Sequence, residues 1–227
     1  TMNKASSKHV PPILLTGCAR SGTSMTAGIF NMCGAWGGEM SGPTRYNRKG
    51  MFENSVIRNT VVKPYLRRMG VDPMGQAPLP DINNLLPFPS LRQEILDIIY
   101  TQGYRGGPWM YKGAKMCLIW KVWHEAFPEA KWVIVRRPDE GIINSCMKTG
   151  FMRNRTTPAE WQEWVDEHKK RFAEMHEAGL DVVEIMPHKF ISGELDELQA
   201  VVEGLGLTWD RKVIDDFIEP QLWSKSK

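Results

Sequence analysis

The 227-residue chain is poor in cysteine, in net charge and in long apolar runs, and each shortage sets aside a class of function. Its four cysteines, Cys18, Cys33, Cys117 and Cys146, contain no CxxC pair and lie in apolar or motif-like surroundings. They read as reduced thiols of a cytosolic protein. The 29 basic residues outweigh the 26 acidic ones by only three. That balance gives no reason to expect nucleic acid, although a local basic pocket for an anionic ligand fits it. No run approaches the roughly 20 apolar residues of a membrane span. Residues 1–12 lack the apolar core of a signal peptide. They predict a flexible N-terminal segment ahead of one domain at 13–227, in a cytoplasmic protein. Internal repeats and low-complexity segments are also missing.

What is present fits one soluble α/β domain with a large core: 42% hydrophobic and 24% charged residues. Nine Trp and thirteen Met suit either an apolar-walled pocket or a Met-rich core, and the core is the simpler reading.

The most pointed local feature is Gly17-Cys18-Ala19-Arg20-Ser21-Gly22-Thr23-Ser24. It follows the apolar run Ile13-Leu14-Leu15 and leads into a helical pattern at 23–33. Strand, glycine-bounded loop and helix start together make a phosphate cradle, because loop amides and the helix N-terminus converge on one spot. The spacing is that of G-x-x-x-x-G-K-[ST] with Thr23 at the lysine position. Without that lysine the loop lacks the cation that grips the outer phosphates of ATP, and Arg20 is the nearest substitute. Taken alone, the same residues also suit an ordinary turn.

Apolar runs at 13–15, 109–111, 132–135 and 182–186, separated by helical patterns, predict parallel strands covered on both faces. The helical patterns fall at 53–69, 91–100, 117–127, after Pro138, and at 158–178. The last has Thr157 as N-cap, Pro158 at the first position and Glu160 completing a capping box. Its stripe Trp161, Trp164, Val165, His168, Phe172, Met175 reads as core. Residues 34–50 and 70–90 read as long loops, the second a lid or a wall of the ligand crevice.

A second constellation is Lys131-Trp132-Val133-Ile134-Val135-Arg136-Arg137-Pro138, followed by a helix with Asn144 and Ser145. Arginines at the C-terminal end of such a strand face the ligand crevice, and the guanidinium fork suits phosphate. Pairing with Glu129 or Asp139 is the plain alternative.

Together these residues resemble the sulfotransferases that use 3′-phosphoadenylyl sulfate (PAPS), in their bacterial-type branch. The family's R-S-G-T-[ST] reads here Arg20-Ser21-Gly22-Thr23-Ser24. Its strand ending in R-x-P reads Arg136-Arg137-Pro138, with a serine expected eight residues after the arginine. That position is Asn144, and Ser145 follows it. Helix neighbours point about 100° apart, so either Asn144 substitutes or the register shifts and Arg137 pairs with Ser145. Gly50-Met51-Phe52-Glu53-Asn54 resembles G-[YFW]-[FW]-E-N. Lys112-Gly113-Ala114-Lys115 stands where K-D-P is found, keeping the lysine. The segment 120–128 ends in a family-like F-P-x-A-K. Leu205-Gly206-Leu207 and Phe217-Ile218-Glu219-Pro220 resemble the closing helices, so the likeness runs from Ile13 to Leu222.

The resemblance implies a P-loop-like three-layer α/β fold with a central parallel sheet flanked by helices. It implies PAPS as donor, adenosine 3′,5′-bisphosphate as product and no metal. The acceptor would be a small molecule, glycan or lipid presenting a hydroxyl or amine. Arg20, Ser21, Gly22, Thr23 and Ser24 would hold the 5′-phosphosulfate. Arg136 with Asn144 or Ser145 would hold the 3′-phosphate, and Lys112 would stabilise the bridging oxygen. Glu53 is the preferred general base and Glu39 its rival. His188 is the nearest histidine. A P-loop kinase and a nucleotide-binding homologue without activity are the alternatives.

Overall fold

Four runs of aliphatic, β-branched and aromatic residues form one parallel sheet in the computed structural model, which describes residues 10–44 and 49–218. The strands β1 (Ile13–Gly17), β2 (Met110–Lys112), β3 (Lys131–Val135) and β4 (Val182–Ile185) lie in the order β2-β1-β3-β4. In chain order the helices are α1 (Thr23–Met32), α2 (Ser55–Ile57), α3 (Lys63–Arg68), α4 (Leu91–Thr101) and α5 (Trp120–Ala126). They continue as α6 (Asp139–Lys148), α7 (Pro158–Glu177), α8 (Pro187–Ile191), α9 (Asp196–Gly204) and α10 (Arg211–Phe217).

Side chains alternate across the sheet, as the two-residue period of a strand demands. Leu14, Tyr111, Trp132 and Ile134 enter one apolar cluster, shared with α3 to α7. Ile13, Leu15, Met110, Val133 and Val135 enter another, shared with α1, α8, α9 and α10. Both faces are covered, which is why β1 and β3 carry unbroken apolar runs. The expected three-layer α/β architecture is therefore present.

The differences from the sequence reading have local causes. β2 begins one residue later than expected, because Trp109 forms an isolated bridge with Trp36 instead. β4 has one neighbour only, so Val183 is 38% exposed rather than buried. The helical pattern at 53–69 is broken by a π-helical stretch, Arg58–Val62, between α2 and α3. Pro64 has no N–H to donate and crowds the carbonyl four residues before it. The chain widens there, and the Lys63 N–H donates to the Arg58 carbonyl, five residues back. A 3-10 stretch, Ala114–Ile119, precedes α5 where one continuous helix was expected. Residues 1–9 of the expected N-terminal segment, and Glu219, Pro220 and Leu222 of the tail, lie outside the described residues.

α7 keeps its expected cap: Thr157 Oγ1 accepts from the Glu160 N–H at 3.2 Å. The Glu160 carboxylate accepts from the Thr157 hydroxyl at 3.0 Å, in place of the backbone N–H of a full capping box. Its stripe is core, and buried His168 meets the Trp164 carbonyl through Nδ1 at 2.7 Å.

The 70–90 loop is a fixed wall. Asp72 accepts from the amides of Met74, Gln76 and Ala77 and from Asn154 Nδ2. Buried Gln76 accepts from the amides of Arg153 and Asn154 and donates to the Phe151 carbonyl at 2.7 Å. Trp164 Nε1 donates to Gly75 O at 2.9 Å, and Arg171 to Pro80 O at 2.7 Å. These bonds tie the loop to the segment before α7 and to α7 itself.

Candidate active site

Three adjacent strands end on one edge of the sheet, and each delivers a part of the site. β1 runs into the glycine loop, β2 ends at Lys112, and β3 leads to Arg136 and Arg137. This is the C-terminal edge, where open parallel sheets hold ligands.

The loop is tight where glycine is required. A Cβ on Gly17 would stand 2.6 Å from the Val135 carbonyl oxygen, and Gly22 has φ 97. Gly22 offers no side-chain cap, so none of α1's first-turn amides is taken by one. Those amides and the helix dipole favour an anion. Ser21 turns inward, its hydroxyl donating to the Cys18 carbonyl at 2.5 Å. Arg20 adopts φ 68, a left-handed conformation that a non-glycine residue holds only when its surroundings impose it. Two contacts do so. Arg20 Nε donates to Ser145 Oγ at 3.0 Å, and Arg137 Nη1 donates to the Arg20 carbonyl at 2.9 Å.

The adjacent arginines diverge. Arg137 lies against the loop, where burial and the Arg20 charge push its guanidinium below the ordinary value. Arg136 pairs with Glu184 at 2.9 Å and stacks over the Phe172 ring, where it lines a small pocket together with Cys18 of the loop and Arg137. On α6 it is Ser145 that touches Arg20, and none of the described hydrogen bonds involves the Asn144 side chain. By hydrogen bonds Arg20 of the loop meets Arg137 and Ser145, and Arg136 stands beside Cys18 without such a bond to the loop.

Lys112 is buried at 4% exposure and donates to Ser24 Oγ at 3.3 Å. Burial lowers its pKa below the ordinary lysine range, Glu53 partly offsets this, and Lys115, Arg58 and Arg20 push the same way as burial. Thr16 locks the turn after β2. Its hydroxyl donates to the Gly113 carbonyl at 2.9 Å and accepts from the Cys117 N–H at 3.1 Å.

Glu53 faces this turn. The preceding residue, Phe52, has φ 51 and packs edge-on against Phe217 at 6.1 Å. Gly28 makes room for both rings: a Cβ there would meet Phe217 and Phe52 within 3 Å. The Glu53 carbonyl accepts from the Ser41 N–H at 2.9 Å, and Asn54 caps α2 through the Ile57 N–H. So fixed, the buried Glu53 carboxylate accepts from the Tyr111 hydroxyl at 3.1 Å and from Arg58 Nη1 at 3.4 Å. Tyr111 is stacked on Trp123, ring centroids 5.3 Å apart. Glu39 is exposed; its backbone carbonyl accepts from the Ser55 N–H, while its carboxylate has no hydrogen bond among the described contacts. His188 is exposed on α8. Arg58 and Tyr111 escaped the sequence reading: the one sits in an ordinary helical pattern, the other in an apolar strand.

All four cysteines are buried and free. Burial holds the Cys18 thiol well above its ordinary value and pushes Cys117 up to about 11 and Cys146 up to about 12. Thiols so protonated are poor nucleophiles. Among the described residues no helix is long and apolar enough to cross a membrane.

No protein-family model matches the chain, and no curated protein matches its sequence. Solved structures match its fold. The sulfotransferase domain of the Synechococcus PCC 7002 olefin synthase superposes with a TM-score of 0.59 at 12% identity, over 96% of this chain and 88% of that one. This chain shares its fold. Sulfotransferase STF9 from Mycobacterium avium aligns with a TM-score of 0.53 at 14% identity, over 96% of this chain and 69% of that one. At such identities the likeness is one of architecture, and chemistry has to be argued from the site.

Proposed function

We propose that the protein transfers a sulfuryl group from PAPS to a hydroxyl or amine of an acceptor, releasing adenosine 3′,5′-bisphosphate. The observation that carries this reading is the convergence of an uncapped glycine loop, Lys112 on Ser24, and the Arg20–Ser145–Arg137 cluster at one sheet edge. The site fits a doubly phosphorylated donor. The first-turn amides of α1 carry no side-chain cap, and two arginines are gathered at the loop. Thr23 in place of the Walker lysine disfavours a kinase.

When bound, the donor supplies an activated sulfuryl group with a phosphate as leaving group. The loop amides and Arg20 hold its 5′ end, while Arg137 and Ser145 hold its 3′-phosphate. Lys112 presents its ammonium from a buried strand end, where a fixed cation stabilises developing charge more than it would in water. Glu53 takes the acceptor's proton. Tyr111 and Arg58 position that carboxylate without hiding both lone pairs of each oxygen. Sulfuryl transfer, like phosphoryl transfer, rests chiefly on positioning and charge.

Calorimetric titration tests the reading. Micromolar or tighter binding of adenosine 3′,5′-bisphosphate, with weak binding of ATP and magnesium, is expected. The reverse preference would replace it with the kinase, and bisphosphate binding without turnover on any acceptor would favour an inactive homologue.

A further inference from the structure

Beyond Lys112, three more cations, Arg58, Lys63 and Lys115, lie close enough to Glu53 to feel its charge. Arg58 touches Glu53 and Ser41, the latter at 3.1 Å. Lys63 follows it by five residues. In an α-helix that spacing would turn the two side chains about 140° apart. The π-helical stretch narrows this gap, because the Lys63 N–H bonds directly to the Arg58 carbonyl and the wider turn brings residues five apart toward one face. Lys115 rises from the 3-10 stretch after β2, its stem under the 70–90 wall: a Cβ on Gly75 would sit 3.2 Å from Lys115 Cγ.

These cations repel one another. Burial lowers the pKa of both lysines; Lys115 and Arg58 lower that of Lys63 further and Arg58 that of Lys115, while Glu53 offsets part of the shift in both and Asp72 part of it in Lys115. Neither ammonium has a hydrogen bond or ion pair among the described residues. The nearby carboxylates are engaged elsewhere: Glu53 holds Tyr111 and Arg58, and Asp72 holds loop amides and Asn154. A fold that confines like charges beside carboxylates already engaged elsewhere is destabilised until an anion arrives. Helices interrupted by a π-turn are frequent at functional sites.

We infer that the acceptor carries an anionic group, a carboxylate, phosphate or sulfate, seated by Arg58, Lys63 and Lys115 while its hydroxyl or amine meets Glu53. The inference rests on the transferase reading above and adds the acceptor's chemical class. Lys63 separates this subsite from the donor site. Lys115, Arg58, Glu53 and Arg67 act on it, whereas the groups acting on Lys112 are Glu53, Lys115, Arg58 and Arg20.

The test is calorimetric, on the full chain saturated with adenosine 3′,5′-bisphosphate and titrated with inorganic sulfate. Wild type is expected to bind sulfate, and Lys63→Gln and Lys115→Gln each to weaken it at least about 5-fold, with bisphosphate affinity unchanged within about 2-fold. Two independent variants protect the result against one that fails to fold. Saturable bisphosphate binding with no sulfate binding would overturn the inference alone. So would sulfate binding indifferent to both lysines, or variants that weaken the bisphosphate instead. A wild-type protein that binds no bisphosphate would overturn the functional reading and this inference with it.

Discussion

The two walls of the crevice hold their charges in different ways. On the loop side, Arg20 is held by Ser145, and Arg137 gives one bond to the Arg20 carbonyl. Every cation there has a partner that also shapes the loop. On the Glu53 side, Lys63 and Lys115 have none among the described residues, and Arg58 alone is tied to a carboxylate. The loop side is preorganised for one particular ligand shape. The other side supplies positive potential around one proton acceptor. Under the proposed function, the contrast corresponds to a donor fixed in geometry and an acceptor chosen by charge.

The largest way to break the comparison is on the loop side. Arg20→Ala removes a half-buried charge-assisted contact and the residue that organises the turn. Bisphosphate affinity is expected to fall at least about 100-fold, about 3 kcal/mol, as read by calorimetry. Affinity unchanged within error would mean that the loop binds something else. On the other wall, Glu53→Gln should lower turnover by about 10²- to 10⁴-fold and leave bisphosphate affinity intact, once an acceptor is known. Glu39→Gln should change neither; a turnover loss confined to Glu39 would move the base to the exposed loop. Lys112→Met should sit between the two walls, with turnover down about 10²- to 10³-fold and a smaller effect on binding.

A third comparison sharpens the second. His168 is buried away from the crevice, and desolvation pushes it from 6.5 to about 4. The unfolded chain takes up that proton below about pH 6.5 and the folded chain does not. The resulting stability is complete above pH 6.5 and is lost as pH falls toward 4, by about 3 kcal/mol in total. His168→Phe should flatten this acid limb in thermal melts across pH 4–7. An acid limb that survives the substitution would place the responsible group elsewhere. The buried lysines of the crevice have the same direction of shift and act at the opposite end of the scale. Charging them in the fold is unfavourable, so stability gains as pH rises through their depressed pKa values toward 10.5.

What could be read from the sequence was what is contiguous. The loop at 17–24, the strand before Arg136 and the stripe on α7 each lie within one stretch, where spacing carries geometry. Choosing between Arg136 and Arg137 could not be done that way. Both follow β3, and their directions are decided by Glu184 on β4 and by the Arg20 carbonyl, far away in sequence. Tyr111 and Arg58 were hidden for the same reason: each matters because of Glu53, which comes from a third segment. The π-turn did have a local signal. Pro64 inside a helical pattern announces a broken ladder, but not that the break would bond the Lys63 N–H to the Arg58 carbonyl.

The central claim is that Arg137 and Ser145, not Arg136, complete the donor site. The most direct test is a parallel titration of Arg136→Ala and Arg137→Ala with adenosine 3′,5′-bisphosphate. Arg137→Ala is expected to weaken binding about 10- to 100-fold. Arg136→Ala, which removes a half-exposed ion pair, should leave binding unchanged and lower stability by no more than about 1 kcal/mol. Weakened binding in Arg136→Ala with normal binding in Arg137→Ala would contradict the account.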